Sequence, residues 1–266
     1  MTPANESGIA RIRAAFRSAS ESGRTALLPF VTGGFPNPTI TEELLRALPG
    51  VGADLIEVGF PFSDPIADGP VIADSMHRAL VSGVTPSQVF DAISRAKSTA
   101  PVIAMVSVSI VGRMGRQHFI DQAVASGVSG FIVPDADPRE AASISDAAAA
   151  RGAGFCALIA PTTPAARAGE LARISTGFVY LLARAGVTGE RSEAPDVSDR
   201  VSRLRDQIDA PIAVGFGIST AQHVRAVGEH ADGAIVGSAL VRAMLDAVDT
   251  GSDPVAAVLN AVGSLR

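Results

Sequence analysis

Two carboxylates and a late series of glycine turns carry most of the chemistry this sequence offers. Glu57 interrupts an otherwise apolar run, Leu55–Gly59, near its C-terminal end. If that run is a strand, alternation puts Leu55, Glu57 and Gly59 on one face and Ile56 and Val58 on the other. A carboxylate facing a packed interior is costly unless it is paired or put to use. Desolvation there raises its pKa, which suits proton transfer near neutrality. Asp68 follows in a loop carrying Pro61, Pro65, Gly69 and Pro70. Such a loop can fold back and present Asp68 to the ligand that Glu57 touches. As single residues, Asp64 before Pro65 and Asp68 before Gly69 are also ordinary turn formers.

The glycine turns lie late in the chain: Gly186-Val187-Thr188-Gly189, Gly215-Phe216-Gly217 and Gly237-Ser238. Glycine lets backbone N–H groups approach phosphate oxygens, and the start of a helix favours an anion. Gly237-Ser238 opens the helical stretch Ala239–Val248, so the serine hydroxyl is expected both to cap that helix and to donate to phosphate. Gly215-Phe216-Gly217 forms the opposite wall.

Other chemistries find little to work with. Of 22 basic residues only Lys97 is a lysine, and it ends a helix-like stretch before a proline. That is a poor place for a Schiff-base amine. His77, His118, His223 and His230 fall in helical stretches, away from strand exits, and make no metal-ligand cluster. Cys156 sits inside a strand-like run and reads as a small buried residue. What remains is a phosphate anchor, two carboxylates and apolar residues near strand exits: Phe30, Met105, Ile132, Phe216 and Ile235. Isomerisation, epimerisation and acid–base C–C cleavage of a phosphorylated substrate all fit.

These residues need a scaffold. Eight short runs recur: Ala26–Thr32, Leu55–Gly59, Val102–Val106, Gly130–Val133, Gly154–Ile159, Phe178–Ala183, Pro211–Val214 and Gly233–Val236. They are too apolar for strands with one wet face and read as parallel strands buried on both sides. Amphipathic stretches lie between them, among them Pro38–Leu48, Gln117–Ser126, Asp137–Arg151, Asp199–Ile208 and Thr220–Glu229. Thr85-Pro86 and Thr163-Pro164 mark helix starts, and Gly127 and Gly152 mark ends. The fold class is α/β. A closed (β/α)8 TIM barrel with an extra N-terminal helix, Ile9–Ser20, is expected over residues 1–266 as one domain. An open doubly wound sheet is the second choice. Function then sits at the C-terminal ends of the strands, where all the residues above fall.

The remaining bounds are on partners and compartment. One cysteine gives no disulfide framework and fits a reducing, cytoplasmic setting. A net charge of −5 and a pI near 5.4 argue against nucleic acid. Mean hydropathy is +0.30, yet apolar runs such as Val102–Val106 are far too short to span a bilayer.

Five elements in order carry a family resemblance: Pro29–Gly34, Glu57–Pro70, Arg184–Gly189, Gly215–Ser219 and Gly237-Ser238. With them the chain resembles the tryptophan synthase alpha subunit family across nearly its whole length. The resemblance implies a retro-aldol cleavage of indole-3-glycerol phosphate to indole and glyceraldehyde 3-phosphate. It implies Glu57 as general acid/base at indole C3 and at the glycerol hydroxyl. It implies Asp68 as the carboxylate that stabilises the indole N–H. Tyr180, at the end of the sixth run, matches the active-site tyrosine, and Phe30 and Phe216 match indole-pocket residues. Gly189, Gly217, Gly237 and Ser238 match the phosphate site, and Thr188 matches the threonine of a mobile sixth loop. No cofactor is implied on this chain; pyridoxal phosphate belongs to a partner beta subunit in an alpha2beta2 tetramer.

Two loops depart from the family pattern. Ser107-Val108-Ser109-Ile110 stands where a Tyr-Tyr-Asn-Pro type motif is usual. Pro134-Asp135-Ala136-Asp137 stands where Pro-Asp-Leu-Pro is usual. In the family these loops face the beta subunit. An alternative expectation is therefore a standalone lyase that releases indole with weak or no beta partner. A catalytically silent, partner-binding relative is a third reading, opposed by the presence of Glu57, Asp68, Tyr180 and Thr188 together.

Overall fold

The computed structural model describes residues 6–64, 68–183 and 197–266. Thr188 and Gly189, expected at the site, lie outside the described residues, as does Pro65. Nine parallel strands are described: β1 (Ala26–Thr32), β2 (Ile56–Gly59), β3 (Val102–Met105), β4 (Val128–Ile132), β5 (Gly154–Phe155), β6 (Leu158–Ile159), β7 (Val179–Leu182), β8 (Ile212–Gly215) and β9 (Gly233–Val236). They form one sheet in the order β5-β4-β3-β2-β1-β9-β8-β7-β6.

The two ends of that sheet, β5 and β6, are consecutive pieces of one run, so the sheet closes into a barrel through Cys156 and Ala157. Cys156 N donates to Phe131 O at 2.8 Å on one side, and Tyr180 N donates to Ala157 O at 3.0 Å on the other. The sequence reads Gly154–Ile159 as one strand. The structure interrupts it because hydroxyls replace part of the ladder. Phe155 N donates to Thr176 Oγ1 at 2.8 Å and Ala157 N to Ser175 Oγ at 3.0 Å.

Alternation divides the strand residues between two cores. Ile56, Val58, Val102 and Ala104 pack outward under the helices. Leu28, Leu55, Ile103, Ile132 and Phe178 pack inside the barrel. The extra helix α1 (Gly8–Glu21) closes the bottom, burying Ile12, Phe16 and Ala19 in the inner core. Ile12 Cδ1 lies about where β-carbons would stand at Gly130 and Gly154, so two glycines make room for one isoleucine, while a β-carbon at Gly177 would meet Cys156 Sγ.

Most helices start as their sequences dictate. Thr85 and Gln88 form a capping box at α4 (Pro86–Ala96), and Asp137 and Glu140 form another at α7 (Pro138–Ala149). Thr163-Pro164 behaves differently from its expected pattern. Pro164 itself is the residue before α8 (Ala165–Ile174), with no side-chain cap, because Thr163 Oγ1 accepts from Ala160 N instead. Ser107–Ser109, expected as a loop, opens a short helix, α5 (Val108–Met114), capped by Ser107. No helix among the described residues is long and apolar enough to cross a membrane.

Candidate active site

The site forms where β1, β2, β7, β8 and β9 end. Eight expected residues are described there, and all eight line one small pocket: Phe30, Glu57, Asp68, Tyr180, Phe216, Gly217, Gly237 and Ser238. The pocket holds about 30 Å³, close to the room for one water. Met105 and Ile235 line it as anticipated. Ile132 does not; it sits deeper, in the inner core.

Glu57 is the second residue of β2 and pairs in register with Phe30 on β1 and Ile103 on β3. Its side chain points into the barrel, as alternation requires. It is fully buried, and neither carboxylate oxygen has a hydrogen-bond partner among the described residues. Burial alone raises its pKa well above the ordinary glutamate range. Burial therefore favours the neutral carboxylic acid, the form that can give a proton.

Asp68 is half-buried at the foot of α3 (Pro70–Val81), and burial raises its pKa to about 6. At that value Asp68 is largely ionised at neutral pH, while burial shifts Glu57 toward its neutral form. The helix that carries Asp68 at its entry is pinned to β1. Thr32 Oγ1 lies 2.6 Å from Ser75 Oγ, and Ser75 Oγ donates to Ile72 O at 2.8 Å. Ile72 itself lines the pocket and was not anticipated. The Gly69-Pro70 pair, a residue before a helix followed by proline at its first position, was the available signal.

Tyr180 is the second residue of β7, not its end, so its ring projects from within the barrel and is buried. Burial first, then the nearby carboxylates of Glu57 and Asp68, keep its hydroxyl protonated far above neutrality. A β-carbon at Gly215 would collide with the Tyr180 hydroxyl, which explains glycine at the end of β8. Phe216 and Gly217 follow it with φ of 77° and 81°. A phenylalanine in the left-handed region is strained, and such strain is commonest where a ring must be aimed at a ligand.

The end expected to hold phosphate is built from backbone. Gly237 precedes α11 (Ser238–Thr250), and no side chain caps that helix. This corrects the expected capping role of Ser238. Ser238 is the first helical residue, so its hydroxyl is not used on its own helix. Elsewhere Ser7, Asn37, Thr220 and Asp253 side chains cap their helices. The start of α11 thus keeps its dipole and its serine for an anion.

The residues set aside on sequence behave accordingly. Lys97 is exposed at the end of α4, with a φ of 46°. His77, His118 and His230 are exposed, His223 is buried with its Nδ1 accepting from Ser219 N, and Cys156 is buried. No cluster that could hold a metal occurs among the described residues. The two unusual loops meet each other: Ser107 Oγ donates to Asp135 Oδ2 at 2.6 Å, and Val108 N to Asp135 Oδ1 at 2.8 Å.

Known proteins share this arrangement of sequence and fold. The tryptophan synthase alpha chain family profile matches residues 16–265. The tryptophan synthase alpha chain of Prochlorococcus marinus (strain MIT 9313) is 46% identical over 239 residues, covering 88% of this chain and 87% of that one. The one from Halorhodospira halophila is 42% identical over 238 residues, with the same shares of 88% and 87%. Among solved structures, tryptophan synthase from Mycobacterium tuberculosis in its aminoacrylate-bound form superposes with a TM-score of 0.84 at 29% identity, covering 96% of this chain and 97% of that one. The alpha chain from Legionella pneumophila subsp. pneumophila gives 0.85 at 31% identity, covering 96% and 95%. On the profile match and these identities, the chain belongs to the tryptophan synthase alpha chain family.

Proposed function

We propose that this barrel, as one domain over residues 1–266, cleaves indole-3-glycerol phosphate to indole and glyceraldehyde 3-phosphate. The observation that carries this reading is the pair of carboxyls in one pocket. Glu57 is buried, has no hydrogen-bond partner among the described residues and is shifted toward its neutral form, and the pKa of Asp68 is raised to about 6. Protonation of indole C3 by Glu57 makes the ring an electron sink, and the positive charge that develops at the indole N–H is met by the Asp68 carboxylate. The Glu57 carboxylate then accepts the proton of the glycerol hydroxyl as the C–C bond breaks, and the carboxyl is restored. Tyr180, Phe30 and Phe216 hold the ring, while Gly217, Gly237, Ser238 and Gly189 take the phosphate. No lysine at the site is available for covalent chemistry, and pyridoxal phosphate belongs to the beta chain.

The alpha subunit role in tryptophan biosynthesis, with a beta partner in an alpha2beta2 assembly, is favoured over a standalone lyase. The sequence relatives named above are alpha chains. A cytoplasmic location fits a single buried cysteine and the absence, among the described residues, of a membrane-spanning helix. The deciding assay measures indole release from indole-3-glycerol phosphate by the purified chain, alone and with a tryptophan synthase beta chain. Slow release alone and a large increase on adding beta is the expected result. Full activity alone, unchanged by beta, reverses the partnering, and no activity in either arm overturns the reaction.

A further inference from the structure

The turn that follows β8 is held at both ends and free in its middle. Phe216 and Gly217 both sit in the left-handed region, with φ of 77° and 81°. Gly217 and Ile218 line the catalytic pocket, and neither of their N–H groups donates to a described residue. Successive N–H groups left unpaired at such a turn make a concave seat for an anion. The near end is fixed by backbone, because Ala183 N donates to Gly215 O at 2.8 Å. The far end is fixed by a side chain: Ser219 N donates to His223 Nδ1 at 3.3 Å.

His223 stands on a firm support. It lies in the first turn of α10 (Ala221–Gly228), with only 4% of its surface exposed. Its own N–H donates to Oγ1 of Thr220, the cap of that helix, at 3.2 Å. A backbone N–H can only donate, so Nδ1 turns its lone pair to Ser219 and the ring proton sits on Nε2. In a capping box, the residue at this place is a glutamate or glutamine that reaches back to the N–H of the cap itself. The imidazole reaches one residue further, to Ser219, two residues from Gly217. It therefore acts on the turn as well as on the start of the helix.

We propose that His223 is a positioning residue for the phosphate seat: by holding Ser219 N, it fixes where the N–H groups of Gly217 and Ile218 point. The inference rests on the reaction proposed above, which puts the substrate phosphate at Gly217. It adds to that reading a residue that does not itself touch substrate.

The test separates the phosphate from the ring. The reaction is run in reverse, with indole and glyceraldehyde 3-phosphate varied independently, and with the beta chain present if the complex is the active form. His223→Phe keeps a flat buried ring and removes the acceptor. It should raise KM for glyceraldehyde 3-phosphate about five- to tenfold, the scale of one lost hydrogen bond, and leave KM for indole and kcat within about twofold. His223→Asn keeps an acceptor on the same carbon and should bring that KM back to within about threefold of wild type. Thr220→Val removes the helix cap and spares the contact to Ser219, so it should lower Tm with both KM values unchanged. If the phenylalanine variant fails to fold, His223→Leu takes its place. An unchanged KM for glyceraldehyde 3-phosphate in the folded variant overturns the inference, as does an equal rise in both KM values or a failure of asparagine to restore binding. Each of these leaves the reaction standing. No product from the wild type overturns the reaction, and the seat is then read by NMR titration with inorganic phosphate. Binding five- to tenfold weaker in the variant supports the inference there; equal binding, or none to the wild type, overturns it.

Discussion

Asp54, two residues before β2, and Glu57, within it, stand three residues apart and meet opposite fates. At the bottom of the barrel, Asp54 accepts from Leu27 N at 2.8 Å and is bridged by Arg24 and Arg266. Asp232 repeats the pattern beside β8 and β9, accepting from Ile212 N at 2.7 Å and pairing with Arg205 at 2.7 Å. At the top, Glu57 has no partner and Asp68 is pushed toward neutrality. The bottom spends its carboxylates on holding strand starts together. The top holds its carboxyls in a costly state that only a substrate makes useful. The same side-chain chemistry, three residues apart along the chain, therefore divides between stability and reaction.

The largest expected effect breaks the top. Glu57→Gln should lower indole release by about 10²- to 10⁴-fold, as loss of a general acid does, while the chain folds normally by circular dichroism. Indole release within tenfold of wild type would sink the assignment of Glu57. Asp68→Asn should cost less in rate, because a neutral amide still accepts from the indole N–H. Its sharper signature is in pH. Wild-type kcat/KM should fall below about pH 6 as Asp68 takes up a proton, and fall again at high pH as Glu57 ionises. The asparagine variant should lose the acid limb; a limb that persists unchanged assigns it to another group.

Breaking the bottom should do the reverse. Asp54→Ala leaves Leu27 N without its acceptor and removes the carboxylate that Arg24 and Arg266 share, and should cost about 2 kcal/mol in urea denaturation. Activity per folded molecule should not change, and a lost rate there would dissolve the contrast between the two ends. A smaller effect separates them by pH. Glu57 and Asp68 bind protons more tightly folded than unfolded, so stability from these groups is full below about pH 4 and declines as pH rises through their folded values. Glu57→Gln should flatten part of that decline in unfolding curves taken from pH 4 to 8. Least of all, Ser238→Ala should raise KM by only about three- to tenfold with kcat nearly unchanged, since backbone N–H groups still hold the phosphate.

Much of this was legible in the residues, for identifiable reasons. The facing of Glu57 follows from the strict period of two along a strand, and β1 and β9 keep the boundaries read from their apolar runs. Gathering Phe30, Tyr180, Phe216 and Ser238 in one pocket follows once the runs are parallel strands of a barrel. What failed to show depends on contacts distant in sequence. Ser175 and Thr176 interrupt the fifth run from a loop after the next helix. Ile72 enters the pocket because a buried hydroxyl pair aims its helix. Ser238 does not cap its helix: a serine at a helix start reads as a cap, and only the placement of Gly237 before the helix takes it out of that position. The Ser107–Asp135 contact joins two loops whose unusual residues looked independent along the chain.

The seat of the first helix gathers distant parts of the chain. Ile12 fills the room left by Gly130 on β4 and Gly154 on β5, and Phe16 lies where a β-carbon at Gly233 on β9 would stand. One short helix thus ties together strands from the middle and the end of the sequence, through contacts of the long-range kind that slow folding.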